Sequence, residues 1–384
     1  MAVGNSDDVD ALDAIGIAIE ECRAGLKGIE PQAGILFAAW DSFEPAVVRA
    51  VLDAFPGIQL VGSTSAAEVS TNNGYREDSI TLALFASDTV DVTVGLGAGV
   101  ADDVRNACRT AVDQAMAGTT RDPKLCIILT EGLLGDPQKI LDGMAAALPA
   151  DVAVVGGASA QRDFTSTSAP GYQFRGDEIV QNGIALLLFS GPLAFSTAVG
   201  TGWRTLGAVG TVTASERGSV HEIDGRPASE FLSRYIDASG PAAFGNPLAV
   251  VEAGGTSSYL RAIQGSDPDS GSVLLTGEVP VGATVQLTTA DTDDILAGTK
   301  GALAQAVAEF PSGAKPEAAL IFSCAIRQYL LGSRTEVEAE MARSEYGASF
   351  PLAGLYCYGE IGPIEGATNS RFFQETFVTL LLGT

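Results

Sequence analysis

The chain has 384 residues, of which 46% are hydrophobic and 18% are charged. This length and composition are typical of a folded protein of two domains, or three, and exclude a disordered chain. The 22 Lys and Arg residues stand against 47 Asp and Glu residues, which gives a formal net charge of −25. Nucleic acids and anionic lipids are bound largely through Lys and Arg. We therefore expect neither among the partners, and we expect the acidic surface to keep the protein soluble.

The cysteines and the N-terminal segment indicate a cytoplasmic protein. There are 5 cysteines, an odd number, and no CxxC pair among them, which argues against a disulfide framework and fits a reducing compartment. The first residues, MAVGNSDDVDALDAIG, are acidic, whereas a signal peptide begins with basic residues. Apolar runs fall short of the roughly 20 residues that span a bilayer, so we expect no membrane insertion.

The first quarter of the chain predicts a helix followed by alternating strands and helices. A helical period places Val9, Leu12, Ile15, Ile19 and Cys22 on one face. The predicted elements are a helix over 7–27, a strand over 34–40, a helix over 44–54, and strands over 58–68, 79–85 and 90–96.

The same order of elements returns twice. The second set comprises helix 102–117, strand 124–130, helix 136–147, and strands 152–160, 183–189 and 194–200. The third set comprises a helix from Thr292, strand 318–324, helix 333–343, and strands 351–360 and 372–382. Residues 201–290 between them are richer in strand and include one predicted helix, 227–238.

This alternation predicts an α/β fold of two domains with mixed sheets, built from repeated helix-strand-helix-strand-hairpin units. We expect an N-terminal domain over 1–200, with internal repeats over 7–98 and 101–200, and a C-terminal domain over 201–384. Pseudo-symmetric units commonly leave a cleft between them, and we expect the Gly and Ser turns at the strand ends to line it.

Several segments resemble one family in order and spacing. In VGSTSAAE (61–68), Gly62, either Thr64 or Ser65, and Glu68 fit a Gly-Cys-Ser-x-x-Gly-Glu hallmark, although Ser63 replaces its Cys and Ala67 its Gly. The segments IFSCAIRQYLLGSR (321–334) and PLAGLYCYGEIGP (351–363) carry Phe-Ser-Cys-x-x-Arg and Gly-x-Tyr-x-x-Gly-Glu-Ile. Segments 154–189 and 202–232 also match, while Gln374 and Thr376 stand where the family has Asn-x-Thr. The chain thus resembles a FIST N-terminal domain followed by a FIST C-terminal domain.

The resemblance implies a bacterial sensory module that binds a small ligand, with amino acids or other carboxylates as the expected class. Such domains are often fused to histidine kinases or chemotaxis receptors. Because these 384 residues include no segment that resembles an output domain, we expect the signal to pass to a separate histidine kinase or other signalling protein. Some FIST proteins are described as haem-binding nitric-oxide sensors, so haem is the alternative cofactor, and otherwise none is expected.

The expected ligand-binding residues cluster in the C-terminal motifs. Arg327 follows a strand end, where a guanidinium can hold a ligand carboxylate in a bidentate grip. Strand alternation places Tyr356, Tyr358 and Glu360 on one face, where Glu360 can bind a ligand ammonium or pair with Arg327. Cys324 can act as a redox switch or contact the ligand, although a buried thiol is usually inert.

The N-terminal half contributes the remaining predicted contacts. Glu68 corresponds to Glu360, and the turn residues offer backbone N–H groups to a ligand. These turn residues are Ser63, Thr64, Ser65, Gly156 and Gly157.

Two alternatives remain open beside the sensor. His221, the 1 histidine of the chain, could serve as an axial haem ligand. A hydrolase or transferase could use Cys324 or Ser65 as its nucleophile, but the sequence has no GxSxG elbow and no second histidine. We therefore predict a protein without a catalytic site and without a metal site.

Overall fold

The computed structural model describes residues 1–132, 137–162, 170–237, 241–346, 350–364 and 370–384. The first elements are β1 (Ala2–Ser6), α1 (Ala11–Leu26), β2 (Ala33–Ala39), α2 (Pro45–Ala54), β3 (Gln59–Ser65), β4 (Ala67–Ser70), β5 (Gly74–Arg76), β6 (Ile80–Phe85) and β7 (Asp91–Ala98). The next are α3 (Val104–Met116), β8 (Pro123–Thr130), α4 (Pro137–Ala147), β9 (Ala153–Ala158), β10 (Tyr172–Arg175), β11 (Glu178–Gln181), β12 (Gly183–Ser190) and β13 (Ala194–Gly200).

The middle of the chain is mostly strand, and helices return towards the C-terminus. The middle elements are β14 (Arg204–Glu216), β15 (Ser219–Ile223), β16 (Arg226–Pro227), α5 (Ala228–Leu232), β17 (Leu248–Val251), β18 (Ser258–Arg261), β19 (Ile263–Ser266), β20 (Val273–Leu275) and β21 (Thr284–Thr289). The last are α6 (Thr292–Ala308), β22 (Pro316–Cys324), α7 (Ala325–Leu331), α8 (Thr335–Tyr346), β23 (Leu352–Cys357), β24 (Glu360–Pro363), β25 (Ser370–Phe373) and β26 (Phe377–Gly383).

Three six-stranded sheets have the same strand order. Sheet 1 runs β1-β6-β2-β3-β10-β11, sheet 2 runs β7-β12-β8-β9-β24-β25, and sheet 3 runs β13-β26-β22-β23-β4-β5. In each, the third and fourth strands are parallel and their other neighbours antiparallel. The last two strands of each sheet form a hairpin that lies, in the sequence, between strands of another sheet. The hairpin β10–β11 of sheet 1 lies between strands of sheet 2, β24–β25 of sheet 2 lies between strands of sheet 3, and β4–β5 of sheet 3 lies between strands of sheet 1. The α/β class with mixed sheets is thus confirmed, whereas the sequence repeat stays a prediction.

A fourth sheet is formed by the middle of the chain, in the order β18-β17-β21-β14-β15-β20-β19, with β16 paired to β15. Its core includes Phe231, Leu248 and Val285. The domain boundary at residue 200 stays a prediction. Strand β4 pairs with β23 in sheet 3, so both predicted domains contribute strands to that sheet.

The main core lies where sheets 1, 2 and 3 pack on one another. Phe37, Ile127 and Phe322, one from each sheet, belong to a single buried cluster. Helices cover the outer faces: α1 and α2 pack on sheet 1, α3 and α4 on sheet 2, and α6 and α8 on sheet 3. Because both faces of each sheet are covered, the central strands are continuous apolar runs.

The helix predicted over 7–27 begins later than expected. The side chain of Asp10 accepts hydrogen bonds from the backbone of Leu12 and Asp13, which caps α1. Val9 precedes the helix and is 104% exposed, and Leu12 is 50% exposed, so neither shares the buried face of α1 with the other residues that the helical period grouped together. Residues Ala2–Ser6 form a strand that the sequence did not indicate.

Three predicted strands each divide into two strands in different sheets. Residues 58–68 divide at Ala66, residues 351–360 at positions 358–359, and residues 372–382 at positions 374–376. The chain passes from one sheet to another at each of these points, a change that apolar patterning does not reveal. The helix predicted over 227–238 ends at Leu232, and its last residue lies outside the described residues.

Candidate functional site

Arg327 is fully buried, with 0% of the residue exposed. Its guanidinium donates to Glu338 Oε1 and Thr299 Oγ1, each at 2.6 Å. It also donates to the carbonyl oxygens of Thr201 at 2.6 Å and Ile295 at 3.1 Å. Arg327 therefore forms its ion pair with Glu338 and not with Glu360, which the sequence indicated as one alternative partner.

Glu338, on α8, collects donors from several elements. It accepts hydrogen bonds from Thr299 at 2.7 Å, Ser323 at 2.8 Å and Tyr356 at 2.9 Å. Burial alone would raise the pKa of this carboxyl, but Arg327 and the hydroxyl donors outweigh it and hold the pKa below its usual value. The sequence did not mark Glu338, because its partners come from distant parts of the chain.

Glu360 opens β24 and is also buried. It accepts a hydrogen bond from the Thr376 backbone N–H at 3.1 Å and one from the Thr376 hydroxyl at 2.7 Å, and the Cys357 thiol lies 3.5 Å away. Burial raises the pKa of Glu360 to about 8, against the pull of the Thr376 donors. A carboxyl in this state is largely protonated at neutral pH.

Glu68 has similar surroundings in the first part of the chain. It accepts hydrogen bonds from the Ser65 hydroxyl, three residues earlier, and from the Ser79 hydroxyl at 2.5 Å. Burial raises its pKa to about 8. Like Glu360, it lies where the chain crosses between two sheets.

Glu375 is a buried carboxyl that the sequence did not indicate. Its backbone is left-handed (φ 57°), as is that of Asp78 (φ 51°) and Asn182 (φ 59°) just before β6 and β12, a conformation that Asp and Asn tolerate best. Asp78 pairs with Arg162 at 2.8 Å. Neither oxygen of Glu375 has a hydrogen-bond partner among the described residues. Burial, and then the nearby Glu360, raise the pKa of Glu375 well above its usual value.

A cavity of about 570 Å³ opens where the fourth sheet meets α4, the end of β22 and the β24–β25 hairpin. Two of the predicted residues, Cys324 and Tyr358, lie on its wall. The other described wall residues are Gly132, Pro137, Lys139, Arg217, Gly218, Phe244, Ala262, Gln264, Leu274, Leu275, Thr276, Gly277, Glu278, Ala325, Ile326, Phe372 and Gln374.

A second cavity, of about 290 Å³, adjoins the first and shares Lys139, Glu278 and Phe372 with it. In it the Tyr259 ring lies between two guanidinium groups, with the Arg261 carbon 4.4 Å and the Arg371 carbon 4.1 Å from its centroid. Side chains of both charges thus face the two connected cavities.

The remaining predicted residues do not line either described cavity. Arg327 lies on α7, and the others lie in the sheets. Ser63, Thr64 and Ser65 end β3 and are fully buried. Gly156 and Gly157 pair with β24, and a Cβ on Gly157 would lie 2.8 Å from the Cys357 sulfur. This close packing explains the glycine there without a ligand.

Tyr356, Tyr358 and Glu360 do not share a face as strand alternation predicted. Strand β23 ends at Cys357 and β24 begins at Glu360. Tyr356 therefore belongs to sheet 3, Tyr358 lies in the crossing and donates to the Gln161 carbonyl at 3.0 Å, and Glu360 belongs to sheet 2.

The residues of the cavity do not fit haem ligation by His221. This histidine lies on β15 and is absent from the described cavity walls. The remaining soft donor on the wall is Cys324, and its thiol pKa is raised well above the usual value by burial and by Glu360 and Glu375. The described residues also hold no group of three or more His, Cys, Asp or Glu side chains placed to bind a metal ion.

The raised thiol pKa leaves Cys324 with little thiolate, which is the reactive form, so attack by this sulfur requires a neighbouring group that moves its proton. Ser65 donates its hydroxyl to Glu68 but is 0% exposed and does not line a described cavity. Within the described part of the chain, no helix has the length and apolarity needed to cross a bilayer.

The profile of the FIST N domain matches residues 32–226, and that of the FIST C domain matches residues 228–363. The chain belongs to the FIST family. Its matched FIST N region contributes Gly132, Lys139 and Arg217 to the larger cavity, and its matched FIST C region contributes Phe244, Thr276 and Cys324.

Relatives of this FIST protein occur in mycobacteria. Uncharacterized protein Mb0898c of Mycobacterium bovis is 25% identical over 380 residues, covering 95% of each chain. Uncharacterized protein MT0656 of Mycobacterium tuberculosis is 28% identical over 204 residues, covering 50% of this chain and 52% of its own. Among solved structures, cyanuric acid hydrolase from A. caulinodans aligns with a TM-score of 0.38 and 12% identity, over 99% of this chain and 97% of that one.

Proposed function

We propose that this FIST protein is a sensor that binds a small, carboxylate-bearing metabolite, such as an amino acid, in the larger cavity. FIST domains are associated with sensing in signal transduction. The observation that carries the proposal is that residues of both matched domains form the cavity wall. A ligand there contacts both domains at once.

The size and lining of the cavity support a small-molecule ligand. Ligand sites typically measure about 300–1,000 Å³ and combine an apolar wall with a few polar groups. Here Phe244, Leu275 and Phe372 supply apolar surface. Lys139 and Arg217 are paired with neighbouring acids, Glu278 at 3.9 Å and Glu216 at 3.6 Å. A ligand carboxylate can replace one of these acids as the partner of a cation.

Contact with both domains supplies a route from binding to signal. A ligand shifts a conformational equilibrium only by the difference in its affinity for the two states. A ligand that contacts both domains has a different affinity for each of two states if the domains pack differently in those states. We propose that a separate cytoplasmic protein, such as a histidine kinase, recognises this change in domain packing. The five free, buried thiols support a location in the reducing cytoplasm.

A ligand screen with a cavity-filling variant tests this proposal. The purified protein is screened by thermal shift against the amino acids, small mono- and dicarboxylic acids and haem, and hits are titrated by calorimetry. A ligand that binds only the folded state raises the unfolding temperature. Gln264→Trp places a large side chain on the cavity wall from β19. Val209→Trp is the matched control, on an exposed position of β14 that does not line a described cavity.

We expect an amino acid or small acid to stabilise the wild type and Val209→Trp, and its heat of binding to vanish in Gln264→Trp. No stabilising acid in the panel would refute the ligand class. Binding that survives in Gln264→Trp would refute the cavity as the site. A saturable Soret band that His221→Ala abolishes would replace the proposal with a haem sensor.

A further inference from the structure

Two cysteines lie side by side on sheet 3. Cys324 ends β22 and Cys357 ends β23, and the two residues are partners in the parallel register of these strands. Residues in register on neighbouring strands point to the same face of the sheet. Strands in a sheet lie about 4.8 Å apart, which is within the range of about 4.4–6.8 Å between the Cα atoms of a disulfide.

Of these two residues, one belongs to a described cavity wall, with 1% of its surface exposed. Cys324 lies on the wall of the cavity of about 570 Å³, and Cys357 does not. A small reagent in the cavity therefore meets Cys324 first, with Cys357 behind it.

Each thiol has a carboxyl group beside it. The sulfur of Cys357 lies 3.5 Å from Glu360 Oε1. Glu375, which has no hydrogen-bond partner among the described residues, lies within electrostatic range of Cys324. Burial raises the pKa of both carboxyls, so each is largely protonated at neutral pH. Such a group can accept a thiol proton on one oxygen while it releases its own proton from the other, and a buried thiol must lose its proton before it reacts.

We propose that Cys324 and Cys357 form a redox site, in which a hydroperoxide entering the cavity oxidises the two thiols to a reversible disulfide. This inference is independent of the proposed metabolite. It makes one wall of the cavity responsive to oxidants.

The reaction balances in two steps. The Cys324 sulfur attacks the hydroperoxide, and the thiol proton passes through a neighbouring protonated carboxyl, which returns a proton to the leaving oxygen. An S–O bond forms, the O–O bond breaks, and the leaving oxygen is protonated to water or an alcohol. The Cys357 sulfur then attacks the Cys324 sulfur. The S–S bond forms, the S–O bond breaks, and the Cys357 proton passes through the Glu360 carboxyl to the hydroxide, which leaves as water. The two thiols lose two electrons and the hydroperoxide gains them.

The chain contains an internal control for this site. Cys108 on α3 and Cys126 on β8 also lie within electrostatic range of each other. They are packed in the core between α3, α4 and sheet 2 and line none of the described cavities. If proximity alone were sufficient, this second pair would be oxidised as well.

The test exposes the reduced, full-length protein to hydrogen peroxide, removes the peroxide, and alkylates the thiols after denaturation. Mass spectrometry counts the alkylated thiols, and peptide mapping locates the linked pair. We expect three of the five thiols to remain, a Cys324–Cys357 cross-link within one chain, and recovery of all five after dithiothreitol. Mapping on the wild type needs no variant that might fail to fold.

Two variants make the assignment specific. In Cys324→Ser, all four remaining thiols are expected to stay alkylatable, whereas in Cys126→Ser two of the four are expected to be lost. Five intact thiols in the oxidised wild type, a cross-link through Cys22, Cys108 or Cys126, or a cross-link between two chains would each overturn the proposal.

Discussion

Glu338 and Glu375 are both fully buried carboxyls near Arg327, but their surroundings are opposite. Glu338 receives hydrogen bonds from Arg327, Thr299, Ser323 and Tyr356. Glu375 receives none from the described residues. Accordingly the pKa of Glu338 is lowered and that of Glu375 is raised far above its usual value.

The number of hydrogen-bond donors around a buried carboxyl decides whether that carboxyl is ionised. A carboxylate with a guanidinium and three hydroxyl donors is ionised and joins α6, β22, α7, α8 and β23 into one framework. A carboxyl without donors stays protonated, because desolvation penalises only the charged form. The first is a structural group, and the second can exchange a proton with a neighbour such as Cys324.

The largest expected effect comes from breaking the buried ion pair. Arg327→Ala leaves Glu338 buried without its cation, and a broken buried pair costs about 3–5 kcal/mol of unfolding free energy. Urea or guanidinium unfolding at pH 7 measures this loss.

Arg162→Ala is the matched control, because Arg162 is 54% exposed and pairs with Glu77 and Asp78 at the surface. It should cost no more than about 1 kcal/mol. Equal costs for the two variants would show that the buried pair does not contribute as proposed.

An intermediate effect of opposite sign is expected at Glu375. With its pKa raised in the folded state, its contribution to stability is complete below its unfolded pKa of 4.5 and is lost as pH rises towards the folded pKa. Glu375→Gln removes the ionisable group. We expect it to be close to wild type at pH 5 and more stable by about 1–3 kcal/mol at pH 8.

Urea unfolding at pH 5 and pH 8 measures the unfolding free energies of Glu375→Gln and the wild type. Glu338→Gln is the contrasting variant, because its carboxylate stabilises the fold above the unfolded pKa, so it should destabilise at pH 8. A Glu375→Gln variant that is less stable than wild type at pH 8 would mean that the carboxylate has a partner.

The smallest expected effect concerns a donor to Glu360. Thr376→Val removes the hydroxyl that donates at 2.7 Å but keeps the backbone N–H. Because burial raises the pKa of Glu360 to about 8, the carboxylate is charged at pH 9 and largely neutral at pH 6. We expect a cost of about 1 kcal/mol at pH 6 and about 2 kcal/mol at pH 9, since bonds to charged groups are stronger.

The matched variant is Ser79→Ala, which removes a donor at 2.5 Å from Glu68, whose pKa burial also raises to about 8. Unfolding free energies at both pH values should change in the same direction for the two variants. A cost that does not depend on pH would mean that the hydroxyls stabilise the fold by packing alone.

Local patterns were sufficient to predict both edge and central strands, and the family. The apolar run 194–200 is strand β13 to the residue, and the run 318–324 lies within β22. The motifs around Cys324 and Glu360 carried the FIST resemblance, and Cys324 and Tyr358 do lie on the cavity wall. These features depend on side chains that are close in sequence, so the sequence reveals them.

Partners and boundaries that depend on crossings between sheets were decided by the tertiary structure. Three hairpins each pair with a sheet whose central strands come from elsewhere in the chain: β4–β5, β10–β11 and β24–β25. The crossings between sheets divide apolar segments that the sequence predicts as single strands. Arg327 finds Glu338 and the carbonyls of Thr201 and Ile295 by the same long-range packing. The sequence by itself determined where the long apolar strands lie and which family the chain belongs to. Only the fold decided which buried charges are paired, because the energy of a buried charge depends on donors from distant segments.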